Sequence, residues 1–365
     1  MHAFATRHRP SGRRSWATEI IALVDEGRYR QAARLVGVLA ECGPDTATAQ
    51  VLRHARRQIE RLMNDPAGEV GCRAGARGAV HALLAGAASA PRARPTPGAE
   101  ADPGVRLAQW PLAVRVFGPL EVWVHGHPVT RLTSRPGRAV LRVLAVNRGR
   151  PVPRAWLMDQ LWPEASASAA ANSLNVAVHA LRRALCAAHP EGARLDYVAC
   201  RDGAYELAPG LAAWVDVEQF ERHRALGRAA RSAGDELLAA AHFQTATDLQ
   251  RGPLFEDDGA DWQVERRLAL QDNCCDMLEG LAELLLGLGE VERAEQTCRR
   301  LLAIDPSWEG GHRQLMRSLV ERGEYGRAVR QYGRCAAVLA RELNVVPDGR
   351  TTALYQAVKT RMSAG

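Results

Sequence analysis

The stretch AAANSLNVAVHALRRAL, residues 169–185, decides how the middle of this 365-residue chain folds. Four of its apolar residues recur at intervals of four, three and four, which places them on one buried stripe of an α-helix: Leu174, Val178, Leu181 and Leu185. Because successive helical residues turn by about 100°, a second set projects from the opposite side. That set consists of Asn172, Val176, His179 and Arg183, flanked by Asn175 and Arg182.

The sequence on either side of this helix predicts short strands. Residues 114–124 are rich in β-branched and aromatic residues and are broken by Gly118-Pro119, so they predict two strands. A second strand pair is predicted at residues 195–207, where Asp202-Gly203 is a typical two-residue hairpin turn. The helical segment at 169–185 therefore lies between an opening strand pair and a closing hairpin.

Two further helices are predicted between the opening strands and residue 169. Ser134 can cap the first, which ends near Asn147. The second starts near Pro153, buries Leu157 and Leu161, and ends at Pro163. The order of a strand pair, three helices and a hairpin between residues 112 and 207 predicts a winged helix-turn-helix.

The exposed side of the third helix suits duplex DNA. Amide side chains near its start can pair with adenine edges in the major groove, and guanidinium groups further along can bind guanine or phosphate. Taken singly, an arginine pair, a histidine or a turn arginine is more often an ordinary solvated residue, but their combination in this order favours DNA binding. The predicted DNA-binding residues are Arg138, Arg154, Asn172, Ser173, Asn175, Val176, His179, Arg182, Arg183 and Arg201.

Charge is unevenly distributed along the chain. Residues 106–210 carry 13 basic residues against 7 acidic ones, whereas residues 211–365 carry 20 basic against 24 acidic residues. A basic middle segment followed by an acidic one indicates that nucleic acid meets the middle of the chain and that another partner meets its end.

The sequence lacks the motifs of common enzymes. Its one lysine, Lys359, stands in Val-Lys-Thr, so it neither completes a Gly-Lys-Ser/Thr phosphate loop nor suits Schiff-base chemistry. No His-Glu-x-x-His, Gly-x-Ser-x-Gly or Cys-x-x-Cys occurs, and the eight cysteines follow no metal or disulfide spacing. We therefore expect no enzyme activity, no catalytic residue, no cofactor and no metal.

The apolar segments predict neither a leader peptide nor a membrane span. The basic run from His8 to Arg14 is followed by acidic residues rather than by an apolar core. The apolar stretch from Ala79 to Ala90 is far shorter than a bilayer requires. Scattered thiols are typical of a reducing compartment, so we expect a soluble cytoplasmic protein without a membrane partner.

A recurring Gly-x-x-x-x-Ala pattern predicts helical repeats. The last two of its glycines are 34 residues apart, which is the tetratricopeptide period of one helix hairpin with a small residue at the crossing. Such arrays leave a concave surface that commonly holds a protein partner. The alternative is an all-helical domain with no particular groove. The four copies are Gly27–Ala32, Gly234–Ala239, Gly289–Ala294 and Gly323–Ala328, with Leu281, Leu285, Leu315 and Leu319 at the core positions of the first helices.

These patterns predict a mainly α protein in four parts. Residues 1–88 form an extra helical N-terminal region with a possible tetratricopeptide-like hairpin, and residues 89–106 form a Pro/Gly-rich linker. Residues 107–210 form an α+β winged helix-turn-helix domain that binds DNA. Residues 211–365 form a tetratricopeptide-like all-α repeat domain.

Residues from about 112 to 360 resemble the Streptomyces antibiotic regulatory protein family, in which an OmpR-like winged helix precedes a bacterial transcriptional activation domain. The similar stretches are VFGPLEV (116–122), SLNVAVHALRRAL (173–185), GAYEL (203–207), VDVEQFE (215–221), RGPL (251–254) and ELNVVP (342–347). The resemblance implies a transcriptional activator that binds repeated promoter sites in duplex DNA, as a possible homodimer or adjacent pair. It also implies recruitment of RNA polymerase to secondary-metabolite genes such as an antibiotic cluster.

Two features set the chain apart from the pattern of that family. Members usually begin almost at the first strand, so the repeat-like segment from Gly27 to Pro44 is expected to belong to an additional sensor or dimerisation arm. Larger members carry an ATPase module, which the missing phosphate-loop lysine excludes. The alternative function is a tetratricopeptide scaffold whose degenerate winged helix serves as a protein-interaction module.

Overall fold

The computed structural model describes residues 16–42, 46–64, 77–84, 107–132, 134–190, 195–257 and 261–364. The chain forms two compact units. The winged-helix unit comprises residues 94–225 and 245–274, and the repeat unit comprises residues 1–93, 226–244 and 275–365. The predicted linker, residues 89–106, lies outside the described residues, and the four-part division of the chain stays a prediction.

The described chain is mainly helical, as the sequence predicts. None of its described helices combines the length and the apolar character needed to cross a lipid bilayer. In chain order the helices are α1 (Trp16–Asp25), α2 (Tyr29–Cys42), α3 (Thr46–Asn64), α4 (residues 77–84), α5 (Arg135–Val146), α6 (Arg154–Leu161), α7 (Ala167–Ala187), α8 (Asp216–Ser232), α9 (Glu236–Leu249), α10 (Val264–Gly287), α11 (Val291–Ile304), α12 (Glu309–Glu321), α13 (Tyr325–Glu342) and α14 (Gly349–Ala364).

Seven short strands of the described chain form two sheets in the winged-helix unit. One sheet has the order β3-β2-β1-β7, with β1 antiparallel to β2 and parallel to β7. The other has the order β4-β6-β5 and contains the closing hairpin. The strands are β1 (Leu112–Arg115), β2 (Glu121–Val124), β3 (His127–Pro128), β4 (Val152–Pro153), β5 (Val198–Arg201), β6 (Ala204–Leu207) and β7 (Ala213–Val215).

Strand β7 is an element that the sequence pattern did not reveal. It lies beyond residue 210, yet Leu112 and Val114 of β1 pair with Ala213 and Val215 of β7. With three residues it is too short to show an alternation of apolar and polar side chains. Its pairing makes residues just past the predicted boundary part of the first sheet.

The start of α8 is attached to the end of β1 through Asp216. The carboxylate of Asp216 accepts hydrogen bonds from the backbone amides of Val116, Phe117 and Val217 at 2.8–3.0 Å. The side chain is only 2% exposed. Burial raises the pKa of Asp216 to about 7, although the backbone donors act to lower it.

The segment that follows α9 also belongs to the winged-helix unit. Phe117 forms an isolated bridge with Leu254, and its ring packs edge-on against that of Phe220 at 5.2 Å. Trp262 packs against Trp156 of α6 and against Phe255, with ring centroids 6.3 and 5.7 Å apart. Residues 245–274 therefore complete the core around the first sheet and α6.

The Gly-x-x-x-x-Ala repeats of the repeat unit share one helix-terminating geometry. All four glycines have φ between 74° and 78°, a region that glycine adopts without steric cost. The residue after each glycine donates to the carbonyl five positions earlier at 2.8–2.9 Å, which is the Schellman bond of a helix end. All four alanines, Ala32, Ala239, Ala294 and Ala328, are 0% exposed. Full burial is what the predicted small residue at a helix crossing requires.

Helices α1–α4 form an N-terminal arm that packs against α9. The arm has a core of its own, in which Ile20, Val36 and Ile59 are fully buried. Ala241 of α9 belongs to the same apolar cluster, and Leu237 and Leu238 of α9 pack against it. The arm is thus an extension of the repeat core, with the same cap and the same buried alanine as the later repeats.

Deleting residues 1–88 is expected to destabilise the repeat unit. Leu237, Leu238 and Ala241 would lose their apolar neighbours, at a cost of about 2–4 kcal/mol in the free energy of unfolding. Urea unfolding of the full and the shortened chain measures this cost. The matched control is Arg34→Ala at an exposed position of α2, which should change stability by less than about 0.5 kcal/mol. An equal midpoint for both chain lengths would contradict the arm's structural role.

Candidate nucleic-acid interface

Helices α6 and α7 form the helix-turn-helix at the centre of the site. The α7 helix begins at a cap formed by Ser166, whose hydroxyl accepts from the amide of Ala169 at 3.4 Å. Pro163 lies in the turn, where it ends α6 as predicted. Leu157 of α6 is fully buried, whereas Leu161 is only half-buried. The helix that precedes them, α5, is capped by Ser134 through the amide of Gly137 at 3.2 Å, again as predicted.

The buried and exposed sides of α7 lie where the sequence places them. Leu174, Val178, Leu181 and Leu185 are 0–3% exposed. The opposite side is open to solvent, and Val176 at its centre is 62% exposed. The exposed residues of this side are Asn172, Asn175, Val176, His179 and Arg183, with Ser173 half-buried beside them. We name this set the DNA-facing stripe after its predicted ligand.

The hairpin from Val198 to Leu207 is the wing of this fold. Asp202 and Gly203 both have positive φ, 49° and 75°, which is the geometry of a type I′ turn and the reason for the Asp-Gly pair. Arg201 and Ala204 pair directly before and after the turn. Arg201 is exposed, so the tip of the wing carries a cation that is accessible to a phosphate.

Two of the predicted DNA-binding arginines contact the protein itself. Arg182 donates from Nε and Nη2 to the carbonyl of Val198, at 3.1 and 2.8 Å. Arg154 donates from Nη2 to the carbonyl of Ala171 in α7 at 3.3 Å, and its backbone amide donates to Gly203 at 2.8 Å. Both side chains are half-buried. They lie beside the DNA-facing stripe rather than within it.

Arg138 of α5, the remaining predicted residue, also contacts the protein itself and forms an ion pair. Its guanidinium binds the carboxylate of Asp257, which Arg142 contacts at 2.7 Å. Partial burial acts to raise the pKa of Asp257, but the charge and hydrogen bond of Arg142 outweigh it and hold that pKa below its usual value. Sequence reasoning missed Asp216 and Asp257, because a carboxylate that satisfies distant backbone amides or arginines has no local pattern.

Two tyrosines of the wing region are buried, Tyr197 directly before β5 and Tyr205 within β6. Burial, and to a smaller extent the neighbouring Cys186, raises the pKa of Tyr197 to about 12. Burial also raises the pKa of Tyr205, while the charges of Arg154 and Arg182 oppose this rise.

Within the described ranges, no group of three His, Cys, Asp or Glu side chains is arranged to hold a metal ion. The interface is therefore built of amide, imidazole and guanidinium groups.

A helix-turn-helix with an exposed polar stripe and an adjacent hairpin defines the class of winged-helix, DNA-binding transcriptional regulators. Residues 129–199 match the family "Transcriptional regulatory protein, C terminal". Residues 215–359 match the family "Bacterial transcriptional activator domain". The chain belongs to the Streptomyces antibiotic regulatory protein family, whose members are transcriptional activators and not enzymes.

Similar proteins include regulators from two genera. Regulatory protein DnrI of Streptomyces peucetius is 30% identical over 252 residues, 68% of this chain and 92% of DnrI. Transcriptional regulatory protein MoaR1 of Mycobacterium tuberculosis is 26% identical over 244 residues, 67% of this chain and 78% of MoaR1. The solved structure of Mycobacterium tuberculosis EmbR in complex with a low affinity phosphopeptide matches with a TM-score of 0.60 and 26% identity. That match covers 68% of this chain and 65% of the EmbR chain, just under two thirds.

Proposed function

We propose that this protein activates a secondary-metabolite gene cluster by binding repeated promoter sites and recruiting RNA polymerase. The observation that carries the proposal is the DNA-facing stripe of α7, with Arg201 of the wing beside it in the same unit. The relationship to DnrI and the family's activation domain support the gene class and the polymerase partner. Binding to repeated sites as an adjacent pair or homodimer follows from the same family resemblance.

The dimensions of α7 suit the major groove of B-DNA. An α-helix is about 10–12 Å across with its side chains, and the major groove is about 12 Å wide. From Asn172 to Arg183 the axis advances about 16 Å, so the stripe can follow the groove over several base pairs. Its amides lie toward the helix start and Arg183 toward the end.

Each residue of the stripe has a chemical role in this proposal. Asn172 and Asn175 pair with adenine edges, His179 binds a base acceptor, and Val176 contacts a thymine methyl group. Arg183 and Arg201 bind phosphate or a guanine edge. Ser173, half-buried at the flank of the stripe, donates to the sugar-phosphate backbone.

The repeat unit supplies the surface proposed for RNA polymerase. A groove of about 450 Å³ lies between α10, α12 and α14. Leu286, Val320 and Leu354 contribute apolar surface to it, and Arg317 and Arg361 contribute charge. A concave surface of this kind is where repeat arrays commonly hold a protein partner. Two carboxylates of the same groove balance the two arginines, so the groove carries no net positive charge that would attract DNA.

Salt dependence separates phosphate contacts from base contacts and tests the proposal. Sites are first found by genome-wide mapping, and affinity is then measured on those duplexes against salt. Arg183→Ala and Arg201→Ala should weaken binding to all sequences and reduce the slope of log K against log salt by about 0.9 for each lost phosphate. Asn172→Ala, Asn175→Ala and His179→Ala should instead relax the preference at single base pairs by about 1–3 kcal/mol.

Two controls accompany these measurements. Arg341→Ala, an exposed position of the repeat unit, should leave the slope unchanged, and Val178→Asp on the buried side of α7 should prevent folding. A slope near zero for the wild-type protein, or equal affinity for mapped and random duplexes, would contradict the proposed activator function. The alternative function, a tetratricopeptide scaffold with a degenerate winged helix, would then be favoured.

A further inference from the structure

The side chain of Arg182 connects the end of α7 to the base of the wing. Two of its donor nitrogens, Nε and Nη2, converge on the single carbonyl oxygen of Val198, the first residue of β5. Two hydrogen bonds from one planar guanidinium to the same acceptor restrict its orientation more than one hydrogen bond does. Arg182 is half-buried, whereas its neighbour Arg183 is exposed on the DNA-facing stripe.

The backbone of Arg154 connects the start of α6 to the turn of the wing. Its amide is one of the first in the helix and so has no partner within α6. It donates instead to the carbonyl of Gly203, the second turn residue, at 2.8 Å. Its guanidinium reaches the carbonyl of Ala171 and thereby ties α6 to α7.

Besides the pairing of β6 with β4, the wing is therefore held by these arginines at two separated points. Val198 lies at its base and Gly203 at its tip, which are the two ends of strand β5 and its turn. Between them the buried Tyr205 faces the charges of both Arg154 and Arg182. A hairpin held at one end can pivot, whereas one held at both ends keeps a constant distance from the helix beside it.

We propose that Arg182 and the amide of Arg154 are positioning groups that fix the wing relative to α7, and that neither binds phosphate. They set the spacing between the major-groove contacts of α7 and the contact of Arg201. This proposal rests on the proposed DNA-binding function and assigns Arg182 a role different from that of Arg183.

A double-mutant cycle on the salt slope tests the role of Arg182. If Arg182 positions the wing, Arg182→Ala removes the wing's phosphate contact indirectly, so Arg182→Ala, Arg201→Ala and the double variant all reduce the slope by the same amount, about 0.9. If Arg182 itself binds phosphate, the two losses add, and the double variant falls by about 1.8. Arg182→Lys keeps the charge but not the paired donors, so it should behave as Arg182→Ala does.

Hydroxyl-radical footprinting distinguishes a displaced wing from a general loss of stability, because it reports protection of the DNA under the wing and under α7 separately. Arg182→Ala and Arg182→Lys should lose protection under the wing and keep protection under α7. Arg154→Pro removes the amide at a helix position that accepts proline, and should lose the same protection, whereas Arg154→Ala keeps the amide and the wing footprint. Additive slopes, or a complete wing footprint in folded Arg182→Ala, would overturn the proposal. A wild-type protein without salt-dependent, site-selective binding would instead refute the DNA-binding function itself.

Discussion

Replacement of Asp216 by alanine is expected to destabilise the winged-helix unit by about 4 kcal/mol, more than any substitution on the DNA-facing stripe. The substitution leaves the amides of Val116, Phe117 and Val217 without an acceptor in a site that is 2% exposed. Each buried amide without a partner costs about 1–3 kcal/mol. Urea unfolding followed by tryptophan fluorescence measures the change. The matched control is Asp159→Ala at an exposed carboxylate of α6, with an expected change below about 0.5 kcal/mol.

The carboxylate of Asp216 should also make the stability of the folded chain depend on pH, and the sign of that dependence can be stated. Burial raises the pKa of Asp216 to about 7 in the folded chain, above its value of about 4 in an unfolded chain. The folded state therefore binds the proton more tightly, and this contribution to stability is complete below about pH 4 and lost as pH rises through 7. The stability difference between the wild-type protein and Asp216→Ala should shrink between pH 5 and pH 8. A difference that grows with pH would mean that the backbone donors outweigh burial.

Local patterns predict the winged-helix elements because each element carries its own signal. The 4-3-4 spacing from Leu174 to Leu185 determines which side of α7 is buried, and a helix of 21 residues repeats that signal several times. Asp202-Gly203 predicts the wing because few other residue pairs tolerate two successive positive φ angles. The glycine and alanine of each repeat are likewise predictable, since a helix cap and a helix crossing each restrict one position.

The long-range contacts could not be predicted in the same way. Asp216 bonds to amides about 100 residues away in the chain, and Asp257 binds arginines of α5 more than 100 residues before it. For the same reason Arg182 and Arg183 look alike in the sequence, although one holds the wing and the other faces solvent. Adjacent positions on a helix differ by about 100°, which is enough to separate the two roles.

The contacts that residues beyond 210 make with the winged-helix core determine how the activation function should be tested. A chain ending at Gly210 would lose β7, Asp216 and the aromatic contacts of residues 245–274, so it would lose part of the core of the winged-helix unit. Failure of such a truncation to activate transcription would not distinguish a missing partner surface from a damaged DNA-binding unit. A substitution confined to the repeat unit makes that distinction.

Ala328→Arg is expected to abolish activation while DNA binding persists. Ala328 is 0% exposed and lies in a cluster with Leu315, Met316 and Val358, where α13 packs on its neighbours. Arginine would overpack this contact and bury a charge without a partner, at a cost of at least about 3 kcal/mol in the stability of the repeat unit. The winged-helix unit contains none of these residues, so affinity for mapped promoter sites should stay within about twofold.

The matched control is Ala337→Arg, the same substitution on the same helix at an exposed position. It should leave both stability and activation unchanged, because an arginine on the solvent side of α13 displaces no core residue. Reconstituted transcription with purified RNA polymerase, measured beside DNA binding for each variant, separates the two activities. If Ala328→Arg is destabilised yet activates as well as Ala337→Arg, the repeat unit does not carry the polymerase contact. If it loses DNA binding first, the repeat unit contributes to promoter recognition, because the substituted residue belongs to the repeat unit and not to the winged-helix unit.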